Sequence, residues 1–318
     1  MDQDKTWNTP RIIFGPLLFI LYINDLPKSL SRNHIPILFA DDTSIIISTQ
    51  NRLTFKNELN ETFANISNWF QANSLSVNIE KTQFIQFFSK NYDNSDSKIS
   101  LGLHYIPRVK ETKFLGMHIN NTLSWTAHIE KISPKLCSAC YAIRFVKPFV
   151  SMEMLKTIYY AYFHSIISYR IIFWRNSIHS IKIFRLQKRV IRTMMGYSKR
   201  DSCRKLFKSL EILPLPSIFI YSLLKFVIKN HQLFTTNDEI HNFGTRQQHN
   251  FHHPPTNLKK YQTGVYYMGI LVYNNLPTFI KKEFAHQTKF ISLVKNFLCE
   301  HSFYSLEEFL NSPTLKHP

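Results

Sequence analysis

The chain has 318 residues, 44% hydrophobic and 14% aromatic, with a formal net charge of +18. That composition excludes a disordered or collagen-like chain, and the length suits two or three structural units. Four cysteines (Cys137, Cys140, Cys203, Cys299) are too few for a disulfide framework and fit a reducing compartment.

The charge is unevenly placed. Residues 1–122 carry 12 Lys and Arg against 11 Asp and Glu, residues 123–234 carry 19 against 4, and residues 235–318 carry 8 against 6. The basicity belongs to the middle third and attracts a polyanion, nucleic acid before an anionic membrane surface.

From the N-terminus, the apolar run Ile12–Ile23 is too short to span a bilayer, is interrupted by Gly15-Pro16, and reads as a buried element. Residues 35–40 and 43–49 are β-rich runs around Asp41 and Asp42, predicting a hairpin with the two aspartates at its tip. Phe55, Leu59, Phe63, Ile66 and Phe70 recur at helical spacing, predicting an amphipathic helix over 51–72. A short strand is expected within "LSVNIEKTQFIQFF", then a polar loop, then a β pair over 99–105 and 112–119.

From Leu123 long helices take over. Leu155, Ile158, Tyr159, Tyr162, Phe163 and Ile166 form a stripe behind Ser151, a predicted N-cap. A helix over 179–195 sets Lys182, Arg185, Arg189 and Arg192 on one face and Ile183, Leu186, Val190 and Met194 on another. Pro214 and Pro216 introduce a further helix to about Asn230. Residues 235–262 read as a polar linker or irregular arm, and the tail from Tyr273 as one or two small helices. Cys137 and Cys140 lack the second ligand pair that zinc needs, and as a helical pair they are expected at core positions.

Two adjacent carboxylates in an apolar setting repel unless a turn exposes them or a cation neutralises them. Such pairs commonly sit in solvated turns, and taken alone this one reads that way; Phe39-Ala40 before it and apolar strands on both sides raise the divalent-metal reading. Four ordered stretches carry a resemblance: "GPLLFILYINDLP" (15–27), "FADDTSI" (39–45), "LSVNIEKTQF" (75–84) and "KFLGMHIN" (113–120). Together they resemble the reverse transcriptases of non-LTR retrotransposons, most closely the jockey-like elements of insects. The resemblance continues through "RDSCRKLFKSLEILPLPSIFIY" and "GVYYMGILVYNNLP".

It implies an α+β chain: the C-terminal half of a polymerase palm (1–122), a basic helical thumb-like domain (123–234), and a polar linker with a small helical segment (235–318). It implies RNA-directed DNA synthesis, with Asp41 and Asp42 as catalytic ligands of Mg²⁺ and Phe39 near the primer end. Lys81 matches a lysine that contacts the triphosphate or donates a proton, and an ordinary exposed strand-end lysine is an equal reading. Asn78 matches the same box. Lys113 and Gly116 fall in the hairpin that grips the primer, where Gly116 allows close backbone approach or marks a β-bulge. Lys182, Arg185, Arg189 and Arg192 would touch phosphates, against the alternative of a solvated basic face.

The expected partners are an RNA template with a DNA primer, or an RNA–DNA duplex, and no membrane. With no signal peptide or transmembrane helix, an intracellular protein, nuclear or cytoplasmic, is expected. The chain departs from the resemblance in lacking the fingers, the Gln-Gly-Ser lead-in and a third, upstream carboxylate. An N-terminally truncated palm with an exposed sheet edge is therefore expected, binding Mg²⁺ weakly and inefficient as a catalyst. The competing expectation is a non-catalytic nucleic-acid-binding remnant of a mobile element.

Overall fold

The computed structural model describes residues 8–31, 34–49, 55–87, 99–101, 104–240 and 248–312. The predicted polar loop after Phe88 and the start of the helix predicted from residue 51 lie outside them. The chain is α+β and divides into two compact units, residues 1–112 with 120–122, and residues 113–119 with 123–318.

The first unit opens with α1 (Asn8–Ile23), followed by a hairpin of β1 (His34–Phe39) and β2 (Asp42–Ile47). Helix α2 (Phe55–Ala72) is next, then a hairpin of β3 (Ile99–Leu101) and β4 (His104–Ile106). Leu59 of α2 and Ile106 of β4 are buried together, with Ile47, Phe55, Phe63 and Phe84 half-buried around them. Helix α1 corrects the expectation of a buried element. Phe14, Leu17, Leu18, Ile20 and Leu21 are more than half exposed, while Ile23 is buried. Its apolar residues run all round the helix, and this small core does not cover them.

The strand expected within 75–88 is instead, over the described residues up to 87, a turn followed by one isolated bridge between Phe84 and Arg108. Asn78 is the cause. Its carbonyl accepts from the Thr82 N–H at 3.0 Å and the Thr82 hydroxyl at 2.7 Å, curling the chain where a strand would extend it. The β pair expected over 99–119 is likewise two hairpins, since Leu115-Gly116 turns between β5 (Glu111–Phe114) and β6 (Met117–Asn120).

In the second unit, α3 (Thr126–Val146) is followed by α4 (Met152–Ile158), which passes through a π-helical stretch, Tyr159–His164, into α5 (Ser165–Ser168). Then come α6 (Ile171–Trp174), α7 (Ser180–Met195), α8 (Arg204–Leu210) and α9 (Leu215–Lys229). The remainder holds α10 (Asn237–Ile240), α11 (Lys259–Gln262), α12 (Val265–Asn274), α13 (Thr278–Lys281), α14 (Gln287–His301) and α15 (Leu306–Leu310). Helix α9 is buried along most of its length, packed by α12, α14, α6, α5 and α15. Ser151 caps α4, accepting from the Met154 N–H at 3.3 Å.

The expected stripe after Ser151 is shifted by the π-helical stretch. Its wider turn brings Leu155, Tyr159, Phe163 and Ile167 onto one line at every fourth residue, all fully buried, and turns Tyr162 out to solvent. Only Cys140 of the cysteine pair is buried; Cys137 is exposed, because α3 turns it away from the Ile132–Leu136–Ile143 face. No boundary in the packing falls at residue 235. Phe234, Phe251, Ile270, Phe290 and Phe309 share one core with Ile129 and Phe163, and the expected small tail helices include the 15-residue α14.

Among the described residues no single helix is long and apolar enough to cross a membrane. The bent pair α8 and α9 reaches that length together, and its apolar residues are buried in the core.

One polar group ties this core together. The fully buried Gln187 of α7 donates from Nε2 to the Tyr159 hydroxyl at 3.0 Å and the Leu213 carbonyl at 2.9 Å, and its Oε1 accepts from the Leu215 N–H at 2.7 Å. Burial pushes the Tyr159 phenol well above its ordinary pKa. Gln187→Leu strands all three partners and should cost about 3 kcal/mol, read as a lower urea midpoint at unchanged slope.

Two histidines of this unit are held uncharged, His128 buried and His164 half-buried. His128 accepts the His118 N–H at Nδ1, at 3.4 Å, and its Nε2 has no hydrogen-bond partner among the described residues. Burial first, then the charges of His118 and Lys135, hold it at about 4. Burial and the charge of Lys295 hold His164 at about 4 as well. Since both folded values lie below the ordinary 6.5, the unfolded chain binds more protons between pH 6.5 and 4. Stability should therefore be full above about pH 6.5 and fall as pH drops towards 4. Urea midpoints taken across that window check this, and His128→Gln should flatten the slope.

Candidate functional site

The carboxylate hairpin belongs to the first unit. Its register pairs Phe39 with Asp42, Leu38 with Thr43 and Ile37 with Ser44, leaving Ala40-Asp41 as a two-residue turn. This refines the expected tip: Asp41 lies in the turn, while Asp42 opens β2. Directly paired residues share a face of the sheet, so Asp42 stands beside Phe39, and Ile35, Ile37, Ser44 and Ile46 continue that face. Asp41 and Asp42 are exposed, Phe39 is 60% exposed, and Ile35 and Ile46 are about half exposed.

Ala40 takes a φ of 52°, the left-handed conformation that the first central position of a primed turn demands. Glycine usually stands there. An alanine in that region costs about 1 kcal/mol, a strain of the kind that gathers at functional turns.

Two adjacent exposed carboxylates at the end of a hairpin suit Mg²⁺, which keeps several waters and takes one or two protein carboxylates beside substrate phosphates. Among the described residues no group of three or more His, Cys, Asp or Glu side chains comes together as a metal site.

Lys81 is exposed at the end of the Asn78 turn, where its N–H donates to the Asn78 carbonyl and side-chain oxygen, both at 3.2 Å. The backbone is held while the amine is free to reach outward. Asn78 thus has a local role as the residue that shapes the turn carrying Lys81.

The β5–β6 hairpin carries Lys113, exposed on β5, and Gly116 in its turn. Leu115 and Gly116 have φ of 44° and 84°, the paired left-handed conformations of a type I′ turn. No β-bulge is needed to explain the glycine. Tyr169 sits against it: the hydroxyl donates to the Leu115 carbonyl at 2.6 Å, and a Cβ on Gly116 would lie 3.1 Å from that oxygen. The close approach that the glycine permits here is that of Tyr169. Nothing local in the sequence marked this residue, because it lies more than fifty positions away from the turn it holds.

On α7, Lys182, Arg185 and Arg189 are exposed along one stripe, opposite the buried Ile183, Phe184, Gln187, Val190, Ile191 and Met194. Arg192 differs. It is half-buried and donates from Nε to the Asp201 carbonyl at 2.8 Å, bracing the loop after α7. Two other cations are also occupied. Arg204 pairs with Glu308 and lies over the Tyr304 ring at 4.5 Å, and Lys188 lies over Phe184 at 4.8 Å.

The Gly116 turn provides a direct test. Gly116→Ala should destabilise by about 1–2 kcal/mol, from its left-handed backbone and the Tyr169 contact. Tyr169→Phe should lose about 1 kcal/mol with the hydroxyl bond. Urea unfolding measures both.

No curated protein and no solved structure matches the chain. A family model does match in part. Its span ends at Ile119, so it includes the carboxylate hairpin, Lys81, Lys113 and Gly116 and leaves α7 outside. Residues 12–119, about a third of the chain, match the family model of reverse transcriptase (RNA-dependent DNA polymerase).

Proposed function

We propose that the chain is the C-terminal palm and thumb portion of a reverse transcriptase from a non-LTR, jockey-like retrotransposon. The observation that carries this reading is the β1–β2 hairpin. A strained alanine turn presents Asp41 and Asp42 beside an exposed Phe39, within the stretch that matches reverse transcriptases.

In this reading Asp41 and Asp42 hold Mg²⁺, with Asp41 in the turn as the principal ligand. When bound, the metal activates a primer 3′-hydroxyl and stabilises the pyrophosphate that leaves. Phe39 gives the primer end an apolar surface next to the carboxylates. Lys81, on its rigid turn, is placed to neutralise a triphosphate or to protonate pyrophosphate. Lys113 and the Leu115-Gly116 turn grip the primer strand, with Tyr169 holding the turn in shape. The stripe of Lys182, Arg185 and Arg189 contacts phosphates without reading sequence.

Two-metal chemistry takes more carboxylate than one adjacent pair and a complete geometry around both ions. The chain by itself is therefore expected to bind template and primer better than it extends them. A non-catalytic nucleic-acid-binding remnant is the second reading, favoured by the exposed basic stripe of α7.

An RNA template annealed to a DNA primer tests both. Mg²⁺-dependent extension that disappears in Asp41→Asn supports the polymerase reading, and extension that survives this change sinks it. Binding should persist in Asp41→Asn and weaken steeply with salt. Changing Lys182, Arg185 and Arg189 to Gln should reduce the salt slope by roughly 0.7–0.9 for each phosphate that is no longer neutralised. A slope that does not move would count against the basic stripe.

A further inference from the structure

Helix α3 has a second face. Its core side is Ile129, Ile132, Leu136, Ala139, Cys140 and Ile143. On the opposite side Tyr141 and Phe145 point outward one turn apart, and Phe149 continues the line in the short turn that follows the helix. They are 70%, 65% and 78% exposed. The rings touch one another in sequence. Tyr141 and Phe145 are nearly parallel, 17° apart with centroids at 6.5 Å, and Phe145 and Phe149 lie 6.3 Å apart.

This ridge is not overflow from the core, since it faces away from it. Three large aromatic side chains in one exposed line are an interaction surface rather than scattered surface apolar residues. The rim is cationic. Arg144, next to Phe145 in the chain, is exposed on α3, within the stretch 123–234 that carries 19 Lys and Arg against 4 Asp and Glu. An occupant must therefore bring flat apolar faces together with negative charge. A second copy of this chain, at +18, brings the wrong sign. A duplex keeps its base faces stacked inside. Single-stranded nucleic acid supplies unpaired base faces and a phosphate backbone together.

We propose that Tyr141, Phe145 and Phe149 form a stacking platform for unpaired bases of single-stranded nucleic acid, with Arg144 on the accompanying phosphates. The proposal rests on the nucleic-acid reading of the basic helices and is independent of the carboxylate hairpin. The platform favours no base, because every base has a face to stack.

The test uses the full chain and two strands of equal length, oligo(dA) carrying 2-aminopurine and an abasic strand with the same phosphates. The chain should bind the base-bearing strand at least about tenfold tighter than the abasic one and quench 2-aminopurine emission. Tyr141→Ala, Phe145→Ala and Phe149→Ala together should remove that preference and the quench while the salt slope stays. Phe145→Ser alone, at an exposed position, should weaken both and serves as the test should the triple variant fail to fold.

Equal binding of the two strands by the unchanged chain overturns the platform and leaves the basic stripe standing. Binding of neither strand overturns both. A preference that survives the triple variant, or survives Phe145→Ser where the triple variant does not fold, also overturns it. So does self-association of the unchanged chain that the triple variant abolishes, which would make a second copy the occupant.

Discussion

The second unit is organised around one buried amide. Pro214 has no N–H to offer, so the break between α8 and α9 leaves the Leu213 carbonyl and the Leu215 N–H facing the interior. Gln187 answers both and spends its remaining donor capacity on Tyr159 of the π-helical stretch. A buried polar group is tolerated only when it is fully paired, and pairing on three sides leaves α7 one rotation about its axis. That rotation faces Lys182, Arg185 and Arg189 to solvent. The position of the basic stripe is thus a consequence of a hydrogen-bonding constraint in the core.

The two units differ in how firmly they hold their chemistry. The second has a continuous core from Ile129 to Phe309, with aromatic contacts from Tyr159–Phe163 to Phe303–Phe309. Among the described residues the first buries few apolar side chains, Ile23, Leu26, Leu59, Ile66 and Ile106, and its sheets are two-stranded. A two-stranded hairpin is marginal alone and gains from each further surface laid against it. The apolar faces of α1 and of the Phe39–Asp42 side of the hairpin are available for that purpose. The exposed carboxylate pair is therefore carried on the lighter scaffold and the exposed basic stripe on the heavier one.

Cations in the second unit serve two ends. Arg192, Arg204 and Lys188 are committed to a carbonyl, a carboxylate and aromatic rings, so they stabilise the fold. Lys182, Arg185 and Arg189 stay in water, where their field extends about a Debye length towards a polyanion. Counting charges along the chain cannot separate these groups, and the total of 19 Lys and Arg in residues 123–234 overstates the free positive charge.

Local rules made several features legible in the sequence. The β-rich runs around Asp41 and Asp42, the capping hydroxyl of Ser151, the amphipathic period of α7 and the proline entry to α9 all depend on neighbours within a few residues. The family match over residues 12–119 agrees with the ordered boxes read there. What the sequence hid depends on distant partners or on departures from regular geometry. The two-residue turn moved Asp42 into a strand, the Asn78 bonds replaced a strand by a turn, and the π-helical stretch moved the buried stripe off Tyr162. Tyr169 on the Gly116 turn, Gln187 across the α8–α9 break and the outward line of Tyr141, Phe145 and Phe149 required the tertiary structure. Periodicity reports which face of a helix is apolar, but only packing decides what meets that face and which aromatic rings are left in water.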